Sequence, residues 1–139
     1  MSKAFLFGTN NATQALASGA NVNLGTPVHG FGKACCERII ALENGAIALN
    51  EGGYYSLVLG FTVTNSEAGN VTLSAYQDGS NVPIAAQSAY VAATGDFANI
   101  TLAFGVLVPK CQNSNITVVA TSSVGAPIVN NVTDLVTRE

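Results

Sequence analysis

The sequence predicts an all-β protein built as an antiparallel sandwich or barrel, and two observations support this prediction. Apolar and polar residues alternate with a period of two along most of the chain from residue 53 onward. Clusters of Gly, Asn, Asp, Ser and Pro separate these alternating segments at short intervals. The chain has 139 residues, which fits one domain with a core large enough to fold alone.

About six strands are predicted between residue 53 and the C-terminus. The longest, YSLVLGFTV, places one set of side chains on a single face: Tyr55, Leu57, Leu59, Phe61 and Val63. The next strand, which carries Val71, Leu73 and Ala75 on one face, ends in QDGSN at 77–81, where Asp-Gly is a strong hairpin signal. Pro83 then indicates an edge or a strand start. Further along, alternation groups Ile100, Leu102, Phe104, Val106 and Val108, and ITVVATS and IVNNVTDLVT close the chain.

The first third of the chain is less regular. ENGAIAL at 43–49 indicates a turn followed by a short strand. Residues 34–43 could form a short helix with Gly45 just past its end, or strands and loops. We favour strand or loop, because every neighbouring segment has a β pattern.

Composition restricts the partners. Charged residues make up only 9% of the chain and hydrophobic residues 48%, so Ser, Thr, Asn and Gln must supply most of the polar surface. Part of such a weakly solvated surface is expected to lie against another chain. The net charge of −3 excludes a basic nucleic-acid-binding patch. No apolar run approaches the roughly 20 residues that span a bilayer, so no membrane partner is expected.

No catalytic constellation is recognisable. His29 is the only histidine, the eight acidic residues are scattered, and neither a Gly-x-Ser-x-Gly elbow nor a P-loop is present. We therefore predict neither an enzyme nor a cofactor.

Three cysteines leave several alternatives open. In an extended segment the adjacent Cys35 and Cys36 face opposite sides, so one of them enters the core as a small apolar residue. The other remains a free thiol or pairs with Cys111, for which Cys36 is the candidate. We predict no metal site. If three chains met at a three-fold axis, His29, Cys35, Cys36 and Cys111 would be its candidate ligands.

Four tyrosines, Tyr54, Tyr55, Tyr76 and Tyr90, could form an aromatic patch that recognises sugars. We favour packing in the core or between subunits, with a satisfied hydroxyl.

A family resemblance rests on longer segments. Residues 50–83, NEGGYYSLVLGFTVTNSEAGNVTLSAYQDGSNVP, and the last strand, VNNVTDLVTRE, resemble jelly-roll domains related to tumour necrosis factor and the globular heads of complement. PVHGFGKACC resembles a segment of small trimeric jelly-roll proteins from bacteriophages and spore-forming bacteria. Cys111 stands where that group carries a second cysteine cluster, but it is a single cysteine, which puts a shared metal site in doubt. The resemblance covers most of residues 22–139.

The resemblance implies an antiparallel jelly-roll sandwich that forms a homotrimer, with aromatic and aliphatic side chains buried around a three-fold axis. It also implies a non-enzymatic structural surface protein that decorates a bacteriophage capsid, as a head decoration or head fibre. Its partners would be its own copies and the major capsid protein or another particle surface, and its location the virion surface. We interpret residues 1–20 as an arm that attaches to the particle through Phe5, Leu6 and Phe7, and 21–139 as the jelly-roll domain.

An alternative class is a trimeric binding module. Its distal loops, SEAGN at 66–70, QDGSN at 77–81 and TGD at 94–96, would recognise a host glycan or receptor, with avidity from three copies. A globular head of a bacterial or spore surface fibre, at a bacterial cell or spore surface, is a further alternative.

Overall fold

A computed structural model describes residues 3–34 and 37–139, and this part of the chain is built from β-strands and connecting turns. The strands are, in chain order, β1 Ala4–Asn10, β2 Gln14–Ala15, β3 Ala20–Asn21, β4 Thr26–Phe31, β5 Lys33–Ala34, β6 Glu37–Arg38, β7 Ile40–Glu43, β8 Ala46–Leu49, β9 Gly53–Asn65, β10 Gly69–Gln77, β11 Ala85–Val91, β12 Ala98–Val108, β13 Ser114–Ser122 and β14 Pro127–Arg138. The last six of these are the six strands that alternation predicted after residue 53.

The strands form two main antiparallel sheets that pack face to face. Sheet A has the order β12-β9-β14-β1-β4, with the short β2 also paired to β14. Sheet B has the order β11-β10-β13-β8-β7, with the short β3 also paired to β13. Strands β5 and β6 form a small hairpin of their own. The chain crosses repeatedly between the two sheets, and the predicted all-β jelly-roll sandwich is confirmed.

The core lies between the sheets and follows the predicted alternation. The inward-facing set of β9 is at most 3% exposed at every position: Tyr55, Leu57, Leu59, Phe61 and Val63. On β12 the inward residues are likewise buried, except that Phe104 is only partly covered. Sheet B contributes Val71, Leu73 and Ala75 from β10 to the same cluster. Period-two patterning therefore predicted which face of each long strand is buried.

Two tight turns have the backbone geometry that their sequences indicate. Asn44 and Gly45 have φ of 52° and 77° and join β7 to β8 in a two-residue hairpin. Asp78 and Gly79 have φ of 53° and 69° and open the longer loop 78–84 between β10 and β11. Pro83 lies in that loop, two residues before the edge strand β11, as its position near an edge or a strand start predicted.

Residues 37–43 form β6 and β7, so strand is confirmed over helix for this part of the segment 34–43. Cys35 and Cys36 lie outside the described residues.

The N-terminal segment is an integral part of sheet A. Strand β1 lies between β14 and β4 and pairs with β14 along its full length, from Ala4 opposite Arg138 to Asn10 opposite Val132. Ala4 and Leu6 are buried in the core. The interpretation of residues 1–20 as an arm outside the jelly-roll domain is therefore wrong for residues 4–10. The alternating side chains of this segment make it a half-buried central strand rather than a projecting arm.

Candidate functional site

The face of sheet A that points away from the core is called face A below. It carries large apolar side chains over one half, and hydroxyl and amide side chains, among them Thr62, Asn99 and Thr133, over the other half. It is formed by the outward positions of β4, β1, β14, β9 and β12. Its larger side chains are Phe5, Phe7, Phe31, Tyr54, Val58, Leu107 and Leu135. Among the strand positions of this face, all within the described part of the chain, none is Lys, Arg, Asp or Glu.

These side chains are exposed although they are large and apolar. Leu107 is 67% exposed, Phe31 59%, Tyr54 49%, Val58 44% and Leu135 38%. Isolated exposed apolar residues are common, but a contiguous patch indicates contact with another molecule.

The strand register makes the patch continuous. Phe7 lies opposite Leu135, Leu135 lies opposite Val58, and Val58 lies opposite Ala103, so one apolar row crosses four strands. Directly paired residues on one face touch across antiparallel strands. In the next row, the rings of Phe5 and Phe31 stack with centroids 5.9 Å apart.

The three residues predicted to attach the chain to a particle are divided between two environments. Leu6 is fully buried in the core and is not available on the surface. Phe5 and Phe7 lie on face A and are half-buried by their neighbours. A role of Phe5 and Phe7 in particle contact stays a prediction.

The candidate metal ligands are not brought together in the described residues. His29 is exposed on the edge strand β4, whereas Cys111 follows β12, the opposite edge of sheet A. Cys111 is exposed and forms no disulfide with another described residue. Across residues 3–34 and 37–139, no group of three His, Cys, Asp or Glu side chains could hold a metal ion. The pairing of Cys36 with Cys111 stays a prediction, because Cys35 and Cys36 lie outside the described residues.

The four tyrosines do not form one aromatic patch. Tyr55 is buried and its hydroxyl donates a hydrogen bond to the carbonyl oxygen of Glu51 at 2.5 Å. Tyr54 lies on face A, and Tyr76 and Tyr90 lie on the outward face of sheet B. The favoured interpretation, packing with a satisfied hydroxyl, holds for Tyr55.

The proposed distal loops are divided between the two ends of the sandwich. SEAGN and TGD meet at one end, where the Thr94 hydroxyl donates to the Ser66 carbonyl at 2.9 Å. QDGSN follows the opposite end of β10 and contacts the start of β13. The three loops of one chain therefore do not share one surface, and recognition of a glycan or receptor by these loops stays a prediction.

A buried cation that the sequence interpretation missed lies near the end of β14. Arg138 is 4% exposed, lies 3.3 Å from the Glu51 carboxylate and donates a hydrogen bond to the carbonyl of Gly52. It borders an open cavity of about 840 Å³ that Lys110 and Cys111 also line. Burial raises the pKa of Tyr55, and the nearby Arg138 charge partly offsets this.

A buried carboxyl group lies in the core on the same strand. Asp134 is 0% exposed, and neither of its oxygens has a hydrogen-bond partner among the described residues. Desolvation raises the pKa of Asp134 from 3.8 to about 8. Gly8 lies opposite it on β1, where a Cβ atom would clash with Leu42 and with the Thr26 carbonyl and would lie 3.4 Å from an Asp134 oxygen. The signal for Asp134 and Arg138 was present in the sequence, since both share the period-two face of Val132 and Val136.

Comparison with known proteins gives a result for the fold. No family model matches the chain, and no curated protein matches its sequence. Solved structures do match over nearly the whole chain. An Eiger TNF from S. frugiperda superposes with a TM-score of 0.66 at 12% identity, over 99% of this chain and 92% of the other. Murine APRIL superposes with a TM-score of 0.60 at 8% identity, over 95% and 98%.

The fold is a jelly roll like that of tumour necrosis factor. The PRD1 vertex protein P5 also superposes on it, with a TM-score of 0.56 at 15% identity, over 98% of this chain and 96% of the other. The resemblance inferred from the sequence, to a jelly roll related to both tumour necrosis factor and phage proteins, is thus matched at the level of fold. No helix in the described part of the chain is long and apolar enough to cross a membrane.

Proposed function

We propose that this protein is a non-enzymatic structural component of a virion surface, a homotrimer that decorates a bacteriophage capsid as a head decoration or head-fibre protein. Self-association is inferred from the structure of face A. It presents a continuous apolar row across four strands, without a charged side chain at its strand positions. Burial of such a face between copies removes apolar surface from water, at roughly 25 cal/mol per Å².

A closed ring suits this face better than an open contact. The exposed side chains extend from Phe31 on the edge strand β4 to Leu107 on the opposite edge strand β12. An apolar row that crosses four of the five long strands has to be covered over most of the width of the sheet. Three copies related by a three-fold axis would each cover part of the next copy and leave no apolar edge in solvent.

The virion location is supported by the fold likeness to the vertex protein P5 of PRD1 and by the composition of the chain. Only 9% of the residues in the whole sequence are charged, so part of the surface is expected to lie against another molecule. We propose the major capsid protein, or another particle surface, as the second partner.

Light scattering of the purified chain tests the trimer. The expected mass is about 42 kDa, three times the chain mass of 14.1 kDa. A mass near 14 kDa over the micromolar range would count against self-association through face A.

The location requires a separate measurement. Virus particles purified from a culture that encodes the chain should contain it by mass spectrometry, and antibodies against the chain should label the particle surface in electron micrographs. Recovery of the chain only from cell-surface or spore fractions would instead favour the surface-fibre alternative. That result would leave the trimer intact and overturn the capsid role.

A further inference from the structure

A polar groove crosses the outward face of sheet B, on the side of the sandwich opposite face A. It encloses about 580 Å³ and is formed where β3, the β10–β11 loop and β13 meet. The side chains that matter for its chemistry are Asn21, Tyr76, Asp78, Asn81, Asn115 and Thr117. We call it the Tyr76 groove. Its volume is within the range of small-ligand sites.

Uncharged hydrogen-bonding groups dominate the groove. Asn21, Asn81 and Asn115 each offer an amide with donors and an acceptor, and Thr117 offers a hydroxyl. Within the described part of the chain, none of these four side chains takes part in an intramolecular hydrogen bond. Their hydrogen-bonding capacity is therefore available to a ligand.

The one acidic group of the groove is held in a fixed position. One carboxylate oxygen of Asp78 accepts a hydrogen bond from the Ser114 hydroxyl and the other accepts from the backbone N–H of Asn115, both at 2.8 Å. The Gln77 amide donates to the same Ser114 hydroxyl at 3.2 Å. Each carboxylate oxygen retains a free lone pair. The site is thus preorganised, which lowers the entropy lost on binding.

The aromatic ring of Tyr76 completes the groove. Tyr76 is half-buried on β10 opposite Thr117 of β13, so its ring borders the polar side chains. An aromatic face binds the C–H edges of a ring that carries hydroxyl groups on its rim. Amides, a hydroxyl and a fixed carboxylate around it match the alternating donors and acceptors of those hydroxyl groups.

The charge of the groove selects among ligand classes. No Lys or Arg lines it in the described residues, and Asp78 is its only charged group. An anionic ligand would be repelled, and an apolar ligand would leave the amides without partners. We propose that the Tyr76 groove binds a neutral saccharide.

The inference goes beyond the proposed structural role and does not depend on it. Face A and the groove lie on opposite sheets, so self-association through face A leaves every groove open. In a trimer three grooves would act together, and weak single contacts would add to a measurable avidity on a glycan-bearing surface.

Saturation-transfer NMR on the purified chain tests the site. The probes are the methyl glycosides of glucose, galactose, mannose, N-acetylglucosamine and N-acetylgalactosamine, with glucuronic acid and N-acetylneuraminic acid as acidic comparisons. We expect saturable binding of at least one neutral glycoside, with a Kd on the order of millimolar for a single site. No saturable binding by any neutral glycoside, or tighter binding of the acidic sugars, would overturn the proposal.

Paired variants locate the binding. Thr117→Val and Asn115→Ala remove hydrogen-bonding groups inside the groove, and each should weaken binding by about fivefold to tenfold. Thr121→Val and Asn70→Ala are the matched controls, because both residues lie on the same sheet face outside the groove. Equal losses in the groove variants and the controls would overturn the assignment to this groove. So would unchanged binding in the groove variants.

The oligomeric state separates this proposal from the structural one. A chain that is monomeric by light scattering but binds a neutral glycoside through Thr117 supports the groove and contradicts the trimer. A trimer that binds no neutral glycoside supports self-association and contradicts the assignment of the groove.

Discussion

The two outward faces of the sandwich are both nearly free of charge, yet they differ in kind. Face A presents large apolar side chains such as Phe31, Val58 and Leu107. The outward face of sheet B, called face B below, presents mainly hydroxyl and amide groups along β10 and β13. On face B the hydroxyls of Thr72 and Ser88 hydrogen-bond to each other across two strands at 2.6 Å.

A low fraction of charged residues can therefore have two structural causes: an apolar face that is buried against another chain, or a face built from uncharged polar groups. The low charged fraction by itself suggested a surface hidden against another chain, but only face A has the apolar area to make burial favourable. Face B remains compatible with water, because its groups hydrogen-bond with solvent or with a polar ligand. The charged residues are mainly in loops and at strand ends, apart from the buried Asp134 and Arg138. Substitutions that act on one face and spare the other test this division.

The largest effect is expected from a charge placed on face A. Val58→Asp introduces a carboxylate in the middle of the apolar row, between Leu135 and Ala103. Burying an unpaired charge in an apolar contact costs several kcal/mol, so the mass by light scattering should fall from that of a trimer to that of one chain. Val119→Asp places the same change on face B and should keep the trimer. Equal behaviour of the two variants would contradict the assignment of association to face A.

The next effect concerns the core that separates the two faces. The Asp134 carboxyl has a pKa of about 8 in the folded chain, against 3.8 as the ordinary value. The folded chain therefore binds more protons between these values, and stability falls as pH rises from about 4 to about 8. At about 1.4 kcal/mol per pKa unit, the loss across this window is on the order of 5 kcal/mol.

Asp134→Asn removes this titration while conserving the shape of the side chain. We expect denaturant midpoints that match the unchanged protein near pH 4 and clearly exceed it near pH 9. Asp96→Asn, at an exposed loop position, is the control and should keep the full pH dependence. An unchanged protein whose midpoint is flat from pH 5 to pH 9 would show that Asp134 is not buried as described.

A smaller effect distinguishes the two sides of β1. Leu6→Ala truncates a fully buried side chain and should lower the free energy of unfolding by about 2–5 kcal/mol, at every protein concentration. Phe7→Ala truncates the next residue, which lies on face A. It should instead raise the protein concentration at which the trimer forms. If residues 4–10 formed a projecting arm, Leu6→Ala would leave the denaturant midpoint unchanged.

Local patterning accounts for how much of this architecture could be predicted. Alternation along β9, β10 and β12 predicted their buried faces, because successive residues of a strand point to opposite faces of the sheet. The pairing of β1 with β14 joins residues that are more than a hundred positions apart, and no local pattern reports such a contact. Local patterning therefore gives no reason to join residues 1–20 to the sandwich, although the alternation of AFLF is that of a strand.

Prediction from the sequence has a second limit, which concerns the buried charges and the groove. Asp134 and Arg138 are charged residues, which composition alone places on a surface, whereas their burial follows from their position in the period of β14. The Tyr76 groove joins β3, the QDGSN loop and β13, which only the strand order of sheet B brings together. The sequence drew attention to Tyr76 and to QDGSN separately, but not to their shared location.

The smallest expected effect is a change in stability on face B. It tests whether the hydroxyl groups of this face stabilise the sheet or only contact solvent. Thr72→Val keeps the β-branched shape and removes the hydrogen bond to Ser88, so stability should fall by about 0.5–1 kcal/mol. Thr121→Val, on the neighbouring strand, removes a hydroxyl with no partner among the described residues and should change stability less. Adding Ser88→Ala to Thr72→Val should cost little more, because the shared bond is already lost. If the two single threonine variants had equal denaturant midpoints, the hydroxyl pair would make no net contribution. The hydroxyl groups of face B would then contribute to binding of solvent or ligand and not to the stability of the sheet.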